Sequence, residues 1–547
     1  MHRSAARWRA LVPLAVVTAS VALAGCAPGT GTGAPTDGGG TLVYAITGAN
    51  LTNGKMDPHS SQLDVTAYVM RNVLDSLVYR AADGTISPWL ASDWTISDDA
   101  RTYTFDLRDD VEFSDGTPLD AEAVKVNIEH VLDPDTASAQ AASMLSGENF
   151  AGVEVVDDDT VEFTLVEPYA PLLGNLSSAF LGIYSPTVIT EHAADLAAGG
   201  PEVTVGSGPF ILSELVPDQQ LTFTRNDAYQ WGPDASGLTG PAVLDELDVR
   251  IVPEDSQRVG ALGSGEADVV GNLTPSSVTG LPADAVVHAV ESPGMPFSIF
   301  LNETNGALAD PAVREAFARG IDIDTAVDLV FDGQYDRAWS ILSPTTPDAY
   351  DASLEGAWPY DAGLAASLLE NAGWVDDDGD GIRERNGEPL TLQWYTWTPI
   401  ADQNRQLGEM FIADAKKIGI DVERHIVEPA EYNEHYAAGT FDLTDWAFAY
   451  SDGDILRNHL ASTGFQNASH VDEPEIDAML ADAAASTDPA VRRDLYVQLQ
   501  QWNAEHHAIV PIYLPQFITV SSPEVQGVQY DLFGWPLFAG ASVGSAR

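Results

Sequence analysis

The stretch YTFDLRDDVEFSDGTPLDAEAV, residues 103–124, reads as a strand, a tight turn and the start of a helix. Apolar and polar residues alternate along 103–107, the period of a half-buried strand, which delivers Phe105 and Leu107 to a core. Asp115-Gly116 supplies a hairpin turn, because glycine tolerates the backbone angles that such a turn needs. Thr117-Pro118 then leads into a helix that Asp120 can cap by accepting a backbone N–H. The same alternation of β and α runs outward in both directions. Residues 41–46 (TLVYAI) form a first buried strand, residues 160–165 (TVEFTL) alternate like 103–107, and 221–223 and 247–252 are further strands. Residues 64–79, 120–132, 311–319, 364–372 and 404–418 carry helical patterns. No repeat of 20 to 50 residues is evident, so the fold class is mixed α/β with more than one domain.

A chain of 547 residues exceeds what one hydrophobic core serves, and after the N-terminus it has no apolar run long enough to span a bilayer. Its 82 acidic residues against 25 basic ones give a formal charge of -57, which repels nucleic acid and anionic lipid and argues against a polyanionic ligand. The acids are dispersed and the lysines number four (Lys55, Lys125, Lys416 and Lys417), the pattern of a solvated surface.

The first residues, MHRSAARWRALVPLAVVTASVALAGC, place Arg3, Arg7 and Arg9 before a short Ala-rich apolar run, as a signal peptide over 1–25 does. Leu23-Ala24-Gly25-Cys26 resembles the bacterial lipobox, and Cys26 is the chain's single cysteine, so no intrachain disulfide can form. The resemblance implies diacylglyceryl modification of Cys26, and two acyl chains suffice for stable anchoring. Residues 26–40 are otherwise Gly, Thr, Ala and Pro with the single charge of Asp37, a flexible tether.

Several motifs follow in order from residue 41 onward: Met56-Asp57-Pro58-His59, Pro88-Trp89-Leu90-Ala91, the 103–124 run, Gly206-Ser207-Gly208-Pro209-Phe210, Ser264-Gly265-Glu266-Ala267-Asp268, Asp310-Pro311-Ala312-Val313-Arg314, Ala372-Gly373-Trp374 and Ile509-Val510-Pro511-Ile512-Tyr513. In this register the chain resembles the family-5 extracellular solute-binding proteins, which include oligopeptide-, dipeptide- and nickel-binding members. The resemblance implies a two-lobed, periplasmic-binding-protein-like fold of the large three-domain type, with a hinge and a ligand cleft between the lobes. Domain I would combine 41–75, 205–292 and 516–547, domain II would span 76–204 and domain III 293–515. It further implies a monomeric, lipid-anchored receptor on the outer face of the cell membrane. That receptor captures a ligand by lobe closure and delivers it to ABC permease and ATPase subunits. Peptides are the leading ligand; an oligosaccharide, chelated nickel or an opine-like metabolite are alternatives.

The family's peptide-binding members place a ligand-lining strand and loop where this chain has DWAFAYSDGDILR, residues 445–457. Trp446, Ala447, Ala449 and Tyr450 would line the ligand, with strand backbone pairing to an extended peptide. Asp452 or Asp454 would hold its α-amine, because the W-x-x-D aspartate of the family falls at Ala449. Tyr395 and Trp397 share one face of a strand opposite Leu392 and Trp394, and would wall the cleft while Trp394 joins the core. Asp376, Asp378 and Asp380 mimic a calcium loop, but position 12 is Gly387 rather than a glutamate, so the segment reads as an acidic surface turn. No metal site or cofactor is expected from ligand spacing. Gly540-Ala541-Ser542-Val543-Gly544 matches GxSxG without a following helix, so the chain reads as a binding protein rather than an enzyme.

Overall fold

Residues 39–48 and 51–544 are described by the computed structural model. The signal-peptide segment, Cys26 and all but the last two residues of the expected tether lie outside the described residues. The 103–124 stretch folds as its pattern dictates. Thr102–Leu107 is a strand with Tyr103, Phe105 and Leu107 buried, Gly116 turns the chain at φ 86°, and the Asp120 carboxylate accepts the Ala123 N–H at 2.7 Å to start the helix Ala121–Leu132.

Three sheets organise the fold. A mixed seven-stranded sheet has the order Val286–Glu291, Gln516–Ser521, Val269–Val270, Thr41–Ile46, Glu246–Ile251, Gln220–Arg225 and Phe210–Val216. Thr41–Ile46 lies parallel to both neighbours and is buried after its first residue, as a strand covered on both faces must be. An antiparallel four-stranded sheet has the order Ala91–Ile96, Thr102–Leu107, Thr160–Leu165 and Phe150–Asp157. The five-stranded sheet has the order Asp421–Val427, Thr391–Trp397, Leu443–Ala449, Gly294–Leu301 and Ile509–Tyr513. The chain passes between the seven- and five-stranded sheets twice, after Glu291 and after Tyr513. The two passages are bonded to each other, Ser292 N–H donating to the Pro515 carbonyl at 2.9 Å.

One expected helix is shorter than its apolar pattern. The helix over 64–79 ends at Met70, and Val78–Arg80 is a strand. The carbonyls of Asn72 and Val73 turn outward instead and accept from the Phe210 and Gly208 N–H groups at 3.0 and 2.8 Å. Gly206 and Gly208 permit that approach: a Cβ on either would stand 2.1 or 2.6 Å from the Val73 backbone. A tertiary contact thus overrides local helical periodicity.

Candidate ligand site

The strand Thr391–Trp397 alternates as expected. Leu392 and Trp394 are buried, while Tyr395 and Trp397 stand half-buried on the other face. There they meet the parallel neighbour Leu443–Ala449. Trp446 stacks on Phe300 at 4.2 Å between ring centroids, lies 6.1 Å from Trp397, and donates its Nε1–H to His459 Nε2 at 3.2 Å. Tyr395 stacks on His425 at 4.6 Å and His435 at 4.1 Å. The structure therefore joins Trp446 and Trp397 in one aromatic patch and leaves Tyr395 with two histidines. Ala447 is exposed, and Ala449 pairs with Gly294 across the sheet.

Beyond the strand the side chains turn to internal partners. Tyr450 is buried and donates its hydroxyl to Asn175 at 3.3 Å. Asp452 accepts from Arg492 at 2.5 Å and from the Tyr496 hydroxyl at 3.3 Å. Asp454, 2% exposed, accepts from Arg457 at 2.8 Å and from the Tyr169 hydroxyl at 2.8 Å. The Asp454 carboxylate in turn holds the Arg457 guanidinium above its usual pKa. Both carboxylates that sequence reasoning reserved for a ligand amine are thus engaged by protein groups.

A cavity opens elsewhere, with Ser451 as the contribution of this segment to its wall. Its apolar surface comes from Trp89, Tyr229, Phe533, Trp535 and Phe538, and two guanidiniums border it, Arg71 and Arg80. Arg71 follows the helix Asp64–Met70 and is tied to neutral acceptors: the Ser76 hydroxyl at 2.8 Å, the Ser177 carbonyl at 2.7 Å and the Leu74 carbonyl at 3.3 Å, with its Cζ 5.1 Å from the Trp89 ring centre. Arg80 ends the strand Val78–Arg80, donates to the Ser451 carbonyl at 3.1 Å, and has a buried Nε without a hydrogen-bond partner. Among the described residues neither makes an ion pair within 4 Å, although Asp75 and Asp531 act on Arg71, and Asp452 on Arg80, at longer range. Burial lowers the pKa of both guanidiniums, against the longer-range carboxylates that favour their charge. Asp531 borders the same cavity and is reached by solvent there. The apolar wall nonetheless raises its carboxyl to about 7, against the N–H groups of Trp535 and Phe533 that favour its charge. Concave apolar walls with a few convergent polar groups are what small-molecule sites are made of.

Sequence reasoning passed over Arg71 and Arg80. Trp89 entered only as part of a family motif, and no local pattern marks a cation that tertiary structure leaves unmatched. The acidic turn gathers Asp376, Asp378, Asp380 and Glu384, whose carboxylate oxygens lie within 4.8 Å of one another, so a residue at position 9 rather than 12 joins the cluster.

The description "Bacterial extracellular solute-binding proteins, family 5 Middle" matches residues 85–467. The chain belongs to this family. It is a solute-binding protein of the kind that serves ABC importers, with the two-lobed mixed α/β fold of that group. It is 28% identical over 490 residues to the nickel-binding periplasmic protein of Escherichia coli K12, covering 87% of this chain and 90% of the relative. It is 30% identical over 441 residues to protein XP55 of Streptomyces lividans, covering 78% and 76%. The structure of NikA from Brucella suis in complex with Fe(III)-EDTA superimposes with a TM-score of 0.78 at 27% identity, covering 92% of this chain and 99% of that one.

Proposed function

We propose that this chain captures a small, carboxylate-bearing extracytoplasmic ligand, a short peptide in the first instance, by closing two lobes over it, and that it releases the ligand unchanged to a permease. The observation that carries this reading is the pair Arg71 and Arg80, cations bordering an aromatic cavity with no carboxylate of the described residues within ion-pair distance, in a chain of net charge -57. An unmatched charge held partly out of water is costly, and a ligand carboxylate that meets it turns that cost into affinity. The lobes are domain I (41–75, 205–292, 516–547) with domain II (76–204) on one side and domain III (293–515) on the other. They hinge at the bonded passages beside Ser292 and Pro515. The Arg80–Ser451 and Tyr169–Asp454 bonds join residues of the two lobes and favour closure. Cys26 carries the lipid that keeps the receptor at the membrane, and intact mass of the N-terminal peptide tests that assignment.

A carboxylate chelate of a metal ion is the second reading. It is favoured by the same two cations and by the likeness to NikA, whose structure holds Fe(III)-EDTA. The test compares melting-temperature shifts with di- and tripeptides as free acids, the same peptides as C-terminal amides, and nickel with polycarboxylate chelators. Shifts with free acids but not amides support the peptide reading. Shifts with chelates alone leave the carboxylate site standing and remove the peptide, and shifts only with neutral ligands overturn both.

A further inference from the structure

Outside the cavity wall, three side chains from two distant parts of the sequence converge beneath the surface. Asp57 and His59 precede the helix Asp64–Met70, and His130 lies in the last turn of the helix Ala121–Leu132. Asp57 and His59 are 2% and 1% exposed, and each of the three presents one metal-ligating atom within 4.8 Å of the other two.

Their partners fix which ring nitrogen carries the proton. His59 Nε2 lies 2.9 Å from the Gly182 carbonyl, which can only accept, so the proton sits on Nε2 and Nδ1 presents a lone pair. Thr136 spends its hydroxyl proton on the His130 carbonyl at 2.6 Å, so the 3.1 Å contact from its oxygen to His130 Nδ1 requires Nδ1 to donate. His130 Nε2 is then the bare nitrogen. Both bare nitrogens are buried without a hydrogen-bond partner. Asp57 uses one carboxylate oxygen to accept the His59 backbone N–H at 2.9 Å and the Tyr184 hydroxyl at 3.5 Å, and its other oxygen lies 3.7 Å from His130 Nε2, too far for a hydrogen bond. Three acceptors therefore face one another with no donor among them.

We propose that Asp57, His59 and His130 bind one divalent transition ion of the zinc class. Two imidazoles and a carboxylate suit such a borderline ion. Around a tetrahedral ion, ligand atoms at about 2.1 Å stand roughly 3.4 Å apart, close to the observed 3.7 Å. The Gly182 carbonyl and Thr136 already orient the two rings through their far nitrogens, as outer-shell partners of metal-bound histidines do. Short ligand spacing did not reveal the site because two strands of the four-stranded sheet and most of the helix Ala121–Leu132 lie between the two histidines in the chain. The ion would staple the segment after the first strand to that helix.

The full chain, stripped with a chelator and purified in detergent buffer, is dialysed against micromolar zinc and its bound metal counted, with cobalt as an optical probe. Asp376→Asn/Asp378→Asn removes the exposed acidic turn as a competing site. In that background the protein retains one zinc, gives the visible absorption of low-coordinate cobalt, and melts higher with zinc than without. His130→Gln, at the rim and able to fold, weakens zinc binding by at least about tenfold and abolishes the cobalt band. His59→Asn does the same if it folds. Equal zinc content in the background protein and His130→Gln, or no zinc in either, overturns the proposal and leaves a proton shared between His130 and Asp57 as the occupant.

Discussion

Two pairs of arginines divide the molecule electrostatically. Arg457 and Arg492 are matched one to one by Asp454 and Asp452 in the turn after the strand Leu443–Ala449. Arg71 and Arg80 border the cavity and rest on hydroxyl and carbonyl oxygens alone. With more than three acidic residues for every basic one, a counter-charge was available almost anywhere on this chain. Leaving two half-buried cations without a close carboxylate among the described residues is therefore the informative state, and the matched pair is the background. The difference teaches that the aspartates of the turn hold the protein together, whereas the arginines of the cavity are the cations that the proposed function assigns to a ligand.

The largest effect expected from breaking this contrast is at Asp454. Asp454→Ala leaves the half-buried Arg457 with only the Tyr169 hydroxyl, and unfolding free energy in urea falls by about 3 kcal/mol. Asp454→Ala proteins that stay folded bind free-acid peptides with unchanged affinity once stability is allowed for. Loss of binding without loss of stability returns Asp454 to the amine-anchoring role expected from its sequence position.

The second effect is a slope in pH. Asp75 is fully buried behind Arg71, and desolvation raises its carboxyl from 3.8 to about 7, against the Ser207 hydroxyl and Arg71, which favour the charged form. A carboxyl with a raised native pKa binds its proton more tightly when folded. Its contribution is complete below about pH 4 and is lost as pH rises to about 7, a span worth about 4 kcal/mol. Asp75→Asn removes that part of the slope in unfolding curves from pH 4 to 8. With Asp75 and Asp531 neutral at pH 6, Arg71 is less compensated than at pH 8, so a free-acid ligand binds more tightly at the lower pH.

The strength of local patterns decided how much could be read in advance. Thr102–Leu107, Thr160–Leu165 and Thr391–Trp397 obey a two-residue period because each has one face on a core, and Asp120 caps its helix because capping is a local bond. Trp394 went to the core and Tyr395 and Trp397 to the other face for the same reason. Where distant segments decide, the sequence was silent. Residues 72–77 leave the helix as Gly208 and Phe210 bond the carbonyls of Val73 and Asn72, and Ile183, Leu90 and Ala91 bond those of Asp75, Ser76 and Leu77. Asp454 meets Tyr169 across 285 positions. Arg71 and Arg80 look like any other arginines until their surroundings are counted.

Third in size is Arg80→Ala. The buried Nε has no partner and Nη1 has one carbonyl, so the substitution costs little in the ligand-free protein. Affinity for a free-acid ligand falls by about a hundredfold, the loss expected when a charge-assisted contact is removed from a desolvated site. Titration calorimetry with the free acid and the amide sharpens the result. Only the free acid is affected if Arg80 meets the carboxylate, and equal losses for both mark it as part of the closing contact with Ser451 instead.

The smallest effect is expected at Trp446, where the two regions are compared most directly. Its ring stacks on Phe300 and its indole N–H is taken by His459, so Trp446→Phe keeps an aromatic stack and gives up one hydrogen bond, about 1 kcal/mol of stability. It does not border the cavity that Arg71 and Arg80 share. Ligand affinity therefore changes by less than about threefold, within the 0.7 kcal/mol or so that indirect packing shifts produce. If affinity instead collapses while the melting temperature holds, the ligand lies on the aromatic patch of Trp446 and Trp397. The unmatched arginines would then serve lobe closure rather than recognition.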